Sequence, residues 1–183
     1  MNNLLDSLAQ EIRAQFPGKV PNFDENGGTE TSEILFLLEA PGPIAALEKG
    51  SKKVSLDTND GSARRLKMQV EDSGLQQSDI VIWNIVPWYL GDGKSIDTAK
   101  VTDIAKARPF LEKLLGILTK LRFVVLVGEK ARKEFVYLSG LGKFEVLGMH
   151  HTSNQAFRKD REEKFTTENR AVLDRLARAL KRA

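Results

Sequence analysis

Residues 33–43 read EILFLLEAPGP, an apolar run that ends in a carboxylate and then turns. The five apolar residues from Ile34 to Leu38 have the length and content of a buried parallel strand. The proline–glycine–proline sequence that follows makes the chain turn, because proline fixes φ and glycine permits a close backbone approach. Burying an unpaired carboxylate beside such a strand costs free energy, so we expect Glu39 to have a specific structural or functional role. We therefore expect a buried strand that delivers Glu39 to a loop.

Three more apolar runs have the character of buried strands. They read DIVIWNIV (79–86), RFVVLVG (122–128) and KFEVLGM (143–149), and helical patterns occupy 62–75, 97–121, 129–140 and 166–182. Pro109 is expected to break or kink the second of these helices. Strands that alternate with helices predict a parallel sheet with helices on both faces. We predict an α/β fold in one domain over residues 1–183: a three-layer α/β/α sandwich around a central four-stranded, mainly parallel sheet.

The composition excludes several classes of protein. The chain has no cysteine, which excludes disulfides, thiolate metal sites and cysteine nucleophiles. Residues 1–16 mix charged with apolar side chains, which predicts an amphipathic helix and not a signal peptide. No apolar run approaches the ~20 residues that cross a bilayer, so we expect a cytoplasmic protein. The net charge is only +3, but residues 158–183 carry nine basic and five acidic side chains, which suits either a polyanion or a solvated helix face.

The predicted strand ends carry the chemistry, because ligands of such sheets bind beyond the carboxyl ends of the strands. Glu39 follows the first strand, and the only two histidines, His150 and His151, follow the fourth. Asn84 interrupts the second apolar run, where a buried amide needs hydrogen-bond partners. It either ties down a neighbouring loop or reads a planar heterocycle. The third strand ends in an ordinary strand-to-helix turn at residues 128–130.

Other interpretations of the same residues remain open. Two histidines and a glutamate suggest a metal site, although adjacent residues of an extended segment point in opposite directions. Ser153, His151 and Glu39 suggest a hydrolase triad, but no Gly-x-Ser-x-Gly elbow is present. Among the aromatic residues, Trp83 is expected in the core, whereas Trp88 and Tyr89 either line the cleft or cover it.

Three ordered motifs at these strand ends resemble those of the uracil-DNA glycosylase superfamily: LLEAPGP (37–43), NIVPW (84–88) and HHTSN (150–154). The segment NDGSARRLKMQVEDSGL (59–75) further resembles the helix after the first motif. The resemblance spans roughly residues 33–176. It implies an enzyme that flips uracil or a related damaged base out of DNA and hydrolyses its N-glycosidic bond. The alternative is a non-catalytic or differently specific member of the family that binds a nucleobase or DNA in the same cleft.

The resemblance also implies roles for individual residues. Glu39 would position water or stabilise the sugar cation, and His151 would donate a hydrogen bond to the departing base. The implied base-binding residues are Ala40, Pro41, Gly42, Asn84 and Ser153. The implied DNA-binding residues are Lys52, Lys53, Asn154, Arg158, Lys159 and Arg161. No metal and no cofactor is expected, since the iron–sulfur cluster of one branch of the family needs four cysteines, and a monomer is expected.

The resemblance carries one expectation about specificity. Gly42 stands where the classical uracil enzymes have a tyrosine whose ring excludes the methyl group of thymine. Glycine has no side chain to fill that space. The alignment therefore implies that uracils substituted at C5 are tolerated.

Overall fold

The computed structural model describes residues 3–46, 51–92 and 97–181. Its centre is a four-stranded sheet in the order β4-β2-β5-β6, in which every neighbouring pair is parallel. These strands are β2 (Ile34–Leu38), β4 (Ile80–Asn84), β5 (Phe123–Val127) and β6 (Glu145–Met149). Each lies inside the apolar run that predicted it. The prediction of a central four-stranded sheet is confirmed, and this sheet is parallel throughout.

Helices flank the sheet. They are α1 (Leu4–Gln15), α2 (Pro43–Ala46), α3 (Gly61–Asp72), α4 (Val101–Ile117), α5 (Phe135–Gly140) and α6 (Glu162–Leu180). The chain moves from β2 to β4 in one direction and returns past β2 to β5, so right-handed crossovers place α3 and α4 on opposite faces. Helix α1 contacts α4, and α3 contacts α6. The α/β/α architecture predicted from the sequence is confirmed.

Strands β4 and β5 are buried on both faces because helices cover both. All five residues of β4 and of β5 are buried. At the outer side of β4, Trp83 stacks on Phe23 with ring centroids 3.7 Å apart. Phe23 belongs to β1 (Asn22–Phe23), which pairs in parallel with β3 (Lys53–Val54) in a second, two-stranded sheet. The sequence did not predict this small sheet, since two residues are too few to show a hydrophobic period.

Helices α3 and α4 show how far single residues determine where a helix begins and whether it continues. Helix α3 begins after a side-chain cap, because Asp60 Oδ1 accepts hydrogen bonds from the N–H groups of Ser62 (2.8 Å) and Ala63 (3.0 Å). Of the break or kink expected at Pro109, the break does not occur, because α4 runs through this residue. Pro109 and Ala105, the residue whose carbonyl loses a partner, are both exposed, so water can replace the missing bond. Within the described ranges, no helix combines the length and apolar content of a bilayer span.

Candidate functional site

The candidate site lies where the strand order reverses, at the carboxyl ends of β2 and β5. Such a reversal opens a crevice between the loops that leave neighbouring strands. Asn84 ends β4 in register with Leu38 of β2, so Asn84 and Glu39 leave adjacent strands side by side. The pairing continues past the strands, since the Val86 N–H donates to the Glu39 carbonyl at 3.0 Å. The loop 150–154 follows β6 at the same edge.

His151 is held as a neutral hydrogen-bond donor. The backbone N–H of Ser153 donates to His151 Nδ1 at 3.1 Å, so Nδ1 carries a lone pair and the proton of the neutral ring is on Nε2. Burial lowers the pKa of His151 below its usual value, while the carboxylates of Glu39 and Asp60 act in the opposite direction with less effect. The ring therefore stays neutral at neutral pH and presents Nε2–H.

Gly128 shapes the surface on which the His151 ring lies. Its φ is +92°, and a Cβ there would stand 3.0 Å from His151 Cβ and 3.3 Å from its Cδ2. Any side chain would be strained by the positive φ and would also push the imidazole away. The expectation that residues 128–130 form an ordinary turn was therefore too modest. In the sequence, the signal of this close approach was a glycine directly at the end of a buried strand.

Glu39 is half-buried and points one oxygen at the start of α4. Its Oε1 accepts the backbone N–H of Ala99 at 2.7 Å. This bond fixes the carboxylate against the start of α4. The negative charge of Glu39 also acts on His151, whose pKa it raises against the larger effect of burial.

Asn84 is the residue that the described structure leaves incomplete. Its side chain is 3% exposed, and its Oδ1 is buried without a hydrogen-bond partner in the described residues. Leaving a buried carbonyl unsatisfied costs about 1–3 kcal/mol. This oxygen therefore does not tie down a loop among the described residues. It can accept a hydrogen bond from a group outside the protein, such as a ligand or water.

Ser153 serves the turn and not a nucleophilic triad. Its Oγ accepts the N–H of Ala156 at 3.3 Å, and it is the backbone N–H of Ser153 that contacts His151. In a triad the histidine Nδ1–H donates to the acid and Nε2 accepts the serine proton. Here Nδ1 is itself an acceptor, and Glu39 binds the Ala99 peptide instead. The geometry contradicts the triad.

His150 turns away from His151. Its ring stacks on Phe165 with centroids 3.6 Å apart, and its Nε2 is hydrogen-bonded to Glu168. The two imidazoles therefore do not converge on one position. Among the residues that the structure describes, no group of three or more histidine, aspartate or glutamate side chains is arranged to hold a metal ion.

The loops around the cleft differ in how much space they leave. Trp88 is buried and stacks on Phe16 at 3.8 Å, so it covers the fold and does not line the cleft. Tyr89 is buried too. In the first motif, Ala40 is half-buried and Pro41 is buried. A Cβ built on Gly42 would meet no atom within 4 Å, so the space expected beside this glycine is open.

The residues assigned to DNA contact fall into two groups. Lys53 is ion-paired with Glu25 (2.7 Å) and Asp24 (3.4 Å), and the hydrogen bond to Glu25 raises its pKa. Lys52 beside it is exposed with φ +56°. The second group is exposed and lies at the end of the loop 150–154 and just after it. Its members are Asn154, Arg158, Lys159 and Arg161. Of these, Arg161 lies 3.4 Å from Asp160.

Known proteins resemble this chain in sequence and in structure. The sequence model of the uracil DNA glycosylase superfamily matches residues 26–177. A putative uracil DNA glycosylase from Methanosarcina acetivorans is 19% identical, over 78% of this chain and 91% of that one, with a TM-score of 0.46. SMUG2 of Pedobacter heparinus is 14% identical, over 82% and 75%, with a TM-score of 0.49. No curated protein matches significantly. The chain, which has no cysteine, belongs to the uracil DNA glycosylase superfamily.

Proposed function

We propose that this protein is a DNA glycosylase that hydrolyses the N-glycosidic bond of uracil or a related damaged base. The observation that carries the proposal is the buried, unsatisfied Oδ1 of Asn84 at the sheet edge where His151 presents a neutral Nε2–H. Asn84 Oδ1 lacks a hydrogen-bond donor, and His151 offers one. A pyrimidine that carries an N–H beside carbonyl oxygens can donate to Asn84 and accept from His151.

Base selection follows from the carboxamide of Asn84. Uracil has an N3–H next to the O4 carbonyl, so Oδ1 accepts from N3 while the amide N–H donates to O4. Cytosine reverses both partners, because its N3 is an acceptor and its exocyclic group is a donor. It would leave Oδ1 unsatisfied inside the protein, and sites with buried polar groups reject such mismatches strongly.

His151 stabilises the departing base. Breaking the bond between C1′ and N1 leaves negative charge on the pyrimidine, which is shared by its carbonyl oxygens. A donor aimed at the oxygen where charge grows is typically worth 10²–10³ in rate. The Nε2–H of His151 takes this role as a neutral group, because the Ser153 N–H occupies Nδ1.

Glu39 acts on the sugar side. The transition state resembles an oxocarbenium ion, which a carboxylate stabilises by charge and by orienting the attacking water. Water then bonds to C1′, and its proton is taken up by the carboxylate or the base anion. The bond from the Ala99 N–H to Oε1 keeps Glu39 in place. In this proposal Ala40, Pro41, Gly42 and Ser153 border the base.

DNA reaches the cleft with the base out of the stack, since the reacting bond is inaccessible inside a duplex. The exposed residues at and just after the end of the loop 150–154 would contact the flanking phosphates; they are Asn154, Arg158, Lys159 and Arg161. Such phosphate contacts position DNA without reading its sequence. Lys52 remains a candidate for the other side, whereas the acidic partners of Lys53 reduce what it offers to a phosphate. We expect the protein to act as a monomer.

The direct test uses labelled oligonucleotides that differ only in one base. Single- and double-stranded forms carry uracil or cytosine at the same position, and alkali cleaves any abasic site that forms. The proposal predicts cleavage at uracil, or at a related damaged pyrimidine, and none at cytosine. Binding of these oligonucleotides without any abasic product, across uracil and its damaged relatives, would instead indicate a non-catalytic member of the family.

A further inference from the structure

Asn169 is a fully buried polar residue in the middle of α6. Its exposure is 0%, and its carboxamide makes hydrogen bonds at both ends. The Oδ1 accepts the N–H of His150 at 2.7 Å, and the Nδ2 donates to the His150 carbonyl at 3.2 Å and to Gln69 Oε1 at 3.1 Å. Asparagine is a weak helix former, and α6 buries Leu173 one turn later. Helix packing alone therefore does not explain the amide.

The two bonds to His150 fix one peptide unit from both sides. His150 directly follows β6, the strand at the edge of the sheet. The amide of Asn169 pairs with the N–H and C=O of His150 as a neighbouring strand would. This matters because the loop 150–154 contains no proline, so its backbone has no built-in restriction on φ.

Thr152, two residues after His150, is held in place as well. Thr152 is buried, its Oγ1 donates to the Ser62 carbonyl at 2.7 Å, and its own carbonyl accepts from Arg65 Nη1 at 2.7 Å. His151 therefore lies between two residues that α3 and α6 hold in place. Its ring position, and the contact of Nδ1 with the Ser153 N–H, depend on both anchors.

We infer that Asn169 is a positioning residue: by clamping the His150 peptide it sets the ring orientation and tautomer of His151 without touching the substrate. The effect on excision rests on the proposed function, whereas the effect on His151 does not. A displacement of about 1 Å at a reacting group can lower a rate about 10²-fold. The expected consequence of losing the clamp is a 10- to 100-fold slower chemical step with nearly unchanged DNA affinity.

The histidines themselves provide a readout that is independent of activity. The chain has only two, so ¹⁵N-labelled histidine gives two ring systems, which His150→Ala assigns. In the wild-type protein His151 should show an unprotonated Nδ1 and a protonated Nε2. Asn169→Ala removes the clamp, and Asn169→Asp keeps the shape and the acceptor but loses the donor. Leu173→Val, a change in the buried face of the same helix, is the matched control.

Asn169→Ala should convert His151 to a mixture of tautomers, and Asn169→Asp should shift it in the same direction by less. Leu173→Val should leave it unchanged even where it lowers the melting temperature. An unchanged tautomer in Asn169→Ala, or in Asn169→Asp if the alanine variant does not fold, overturns the inference. So does an equal loss in Leu173→Val. If wild-type protein releases no base, the proposed function fails while the ring spectra still decide the role of Asn169.

Discussion

Glu134 and Asn84 are equally buried polar side chains, each 3% exposed, but the protein satisfies them differently. Both Glu134 oxygens accept from Arg108, with distances of 2.9, 3.1 and 3.2 Å. The guanidinium of Arg108 also lies 4.1 Å above the Tyr137 ring. Asn84 Oδ1 has no partner in the described residues. Because burial is the same, the difference supports the proposal that a ligand completes the hydrogen bonding of Asn84, whereas Glu134 is already paired within the folded chain.

The sharpest way to break this comparison is to remove both groups and measure rate and stability together. Asn84→Ala should lower uracil excision by about 10²–10³, because base recognition and charge stabilisation are lost. Its stability should change little, since an unsatisfied carbonyl is removed along with some packing. Single-turnover excision and urea unfolding measure the two quantities.

Glu134→Gln is the matched control for Asn84→Ala. It should cost about 1–2 kcal/mol of unfolding free energy, a value kept low by the partial exposure of Arg108, and should leave excision unchanged. If instead Glu134→Gln slows excision as much as Asn84→Ala does, the division between a complete and an open site is wrong.

The open space at Gly42 sharpens the account of the ligand. Wild-type protein should process 5-hydroxymethyluracil within about two orders of magnitude of uracil, since a pocket discriminates one small group by only ~1–3 kcal/mol. Gly42→Tyr should slow the substituted base by about tenfold or more and affect uracil less. Gly116→Tyr, at an equally open position in α4, is the control. Complete rejection of every 5-substituted uracil by wild-type protein would exclude an open pocket.

A smaller effect concerns DNA affinity. Arg158→Ala/Lys159→Ala should weaken binding to all sequences alike and reduce the salt slope by about one to two ions. The control is Lys120→Ala/Lys143→Ala, which removes two exposed charges. These lysines lie just before β5 and β6, at the end of the strands opposite the candidate site. Fluorescence anisotropy at several salt concentrations gives both slopes. Equal slopes in the two variants would place the DNA elsewhere.

The smallest expected effect is on pH dependence. Burial lowers the pKa of His151 from 6.5, so excision should be level from neutral pH through 6.5 and fall only below it. Protonation would also remove the acceptor that binds the Ser153 N–H. In the unfolded chain His151 binds a proton near its usual pKa, so the folded state should lose stability as pH falls below 6.5. His151→Gln should abolish this part of the stability profile. An acid limb above 6.5 would contradict the buried neutral ring.

Sequence patterns predicted the sheet well because each strand is an apolar run between turn residues. The positions of Glu39, Asn84 and His151 followed, since parallel strands bring their carboxyl ends to one edge. The supporting contacts did not follow. Gly128 and Asn169 contact the histidine loop across 23 and 19 residues of sequence, respectively, and no local period reports such pairs. Pro109 misled because its effect depends on which side of the helix faces water.

The adjacent histidines allow the most direct test of the central claim that His151, and not its neighbour, serves the cleft. Single-turnover release of uracil is compared for His151→Ala and His150→Ala, which change the same side chain one residue apart. His151→Ala should be about 10²–10³ slower than wild type. His150→Ala keeps the peptide that Asn169 binds and should remain within about tenfold, because its ring stacks on Phe165 and bonds to Glu168, away from His151. Equal rates in the two variants, or a greater loss in His150→Ala, would contradict the account.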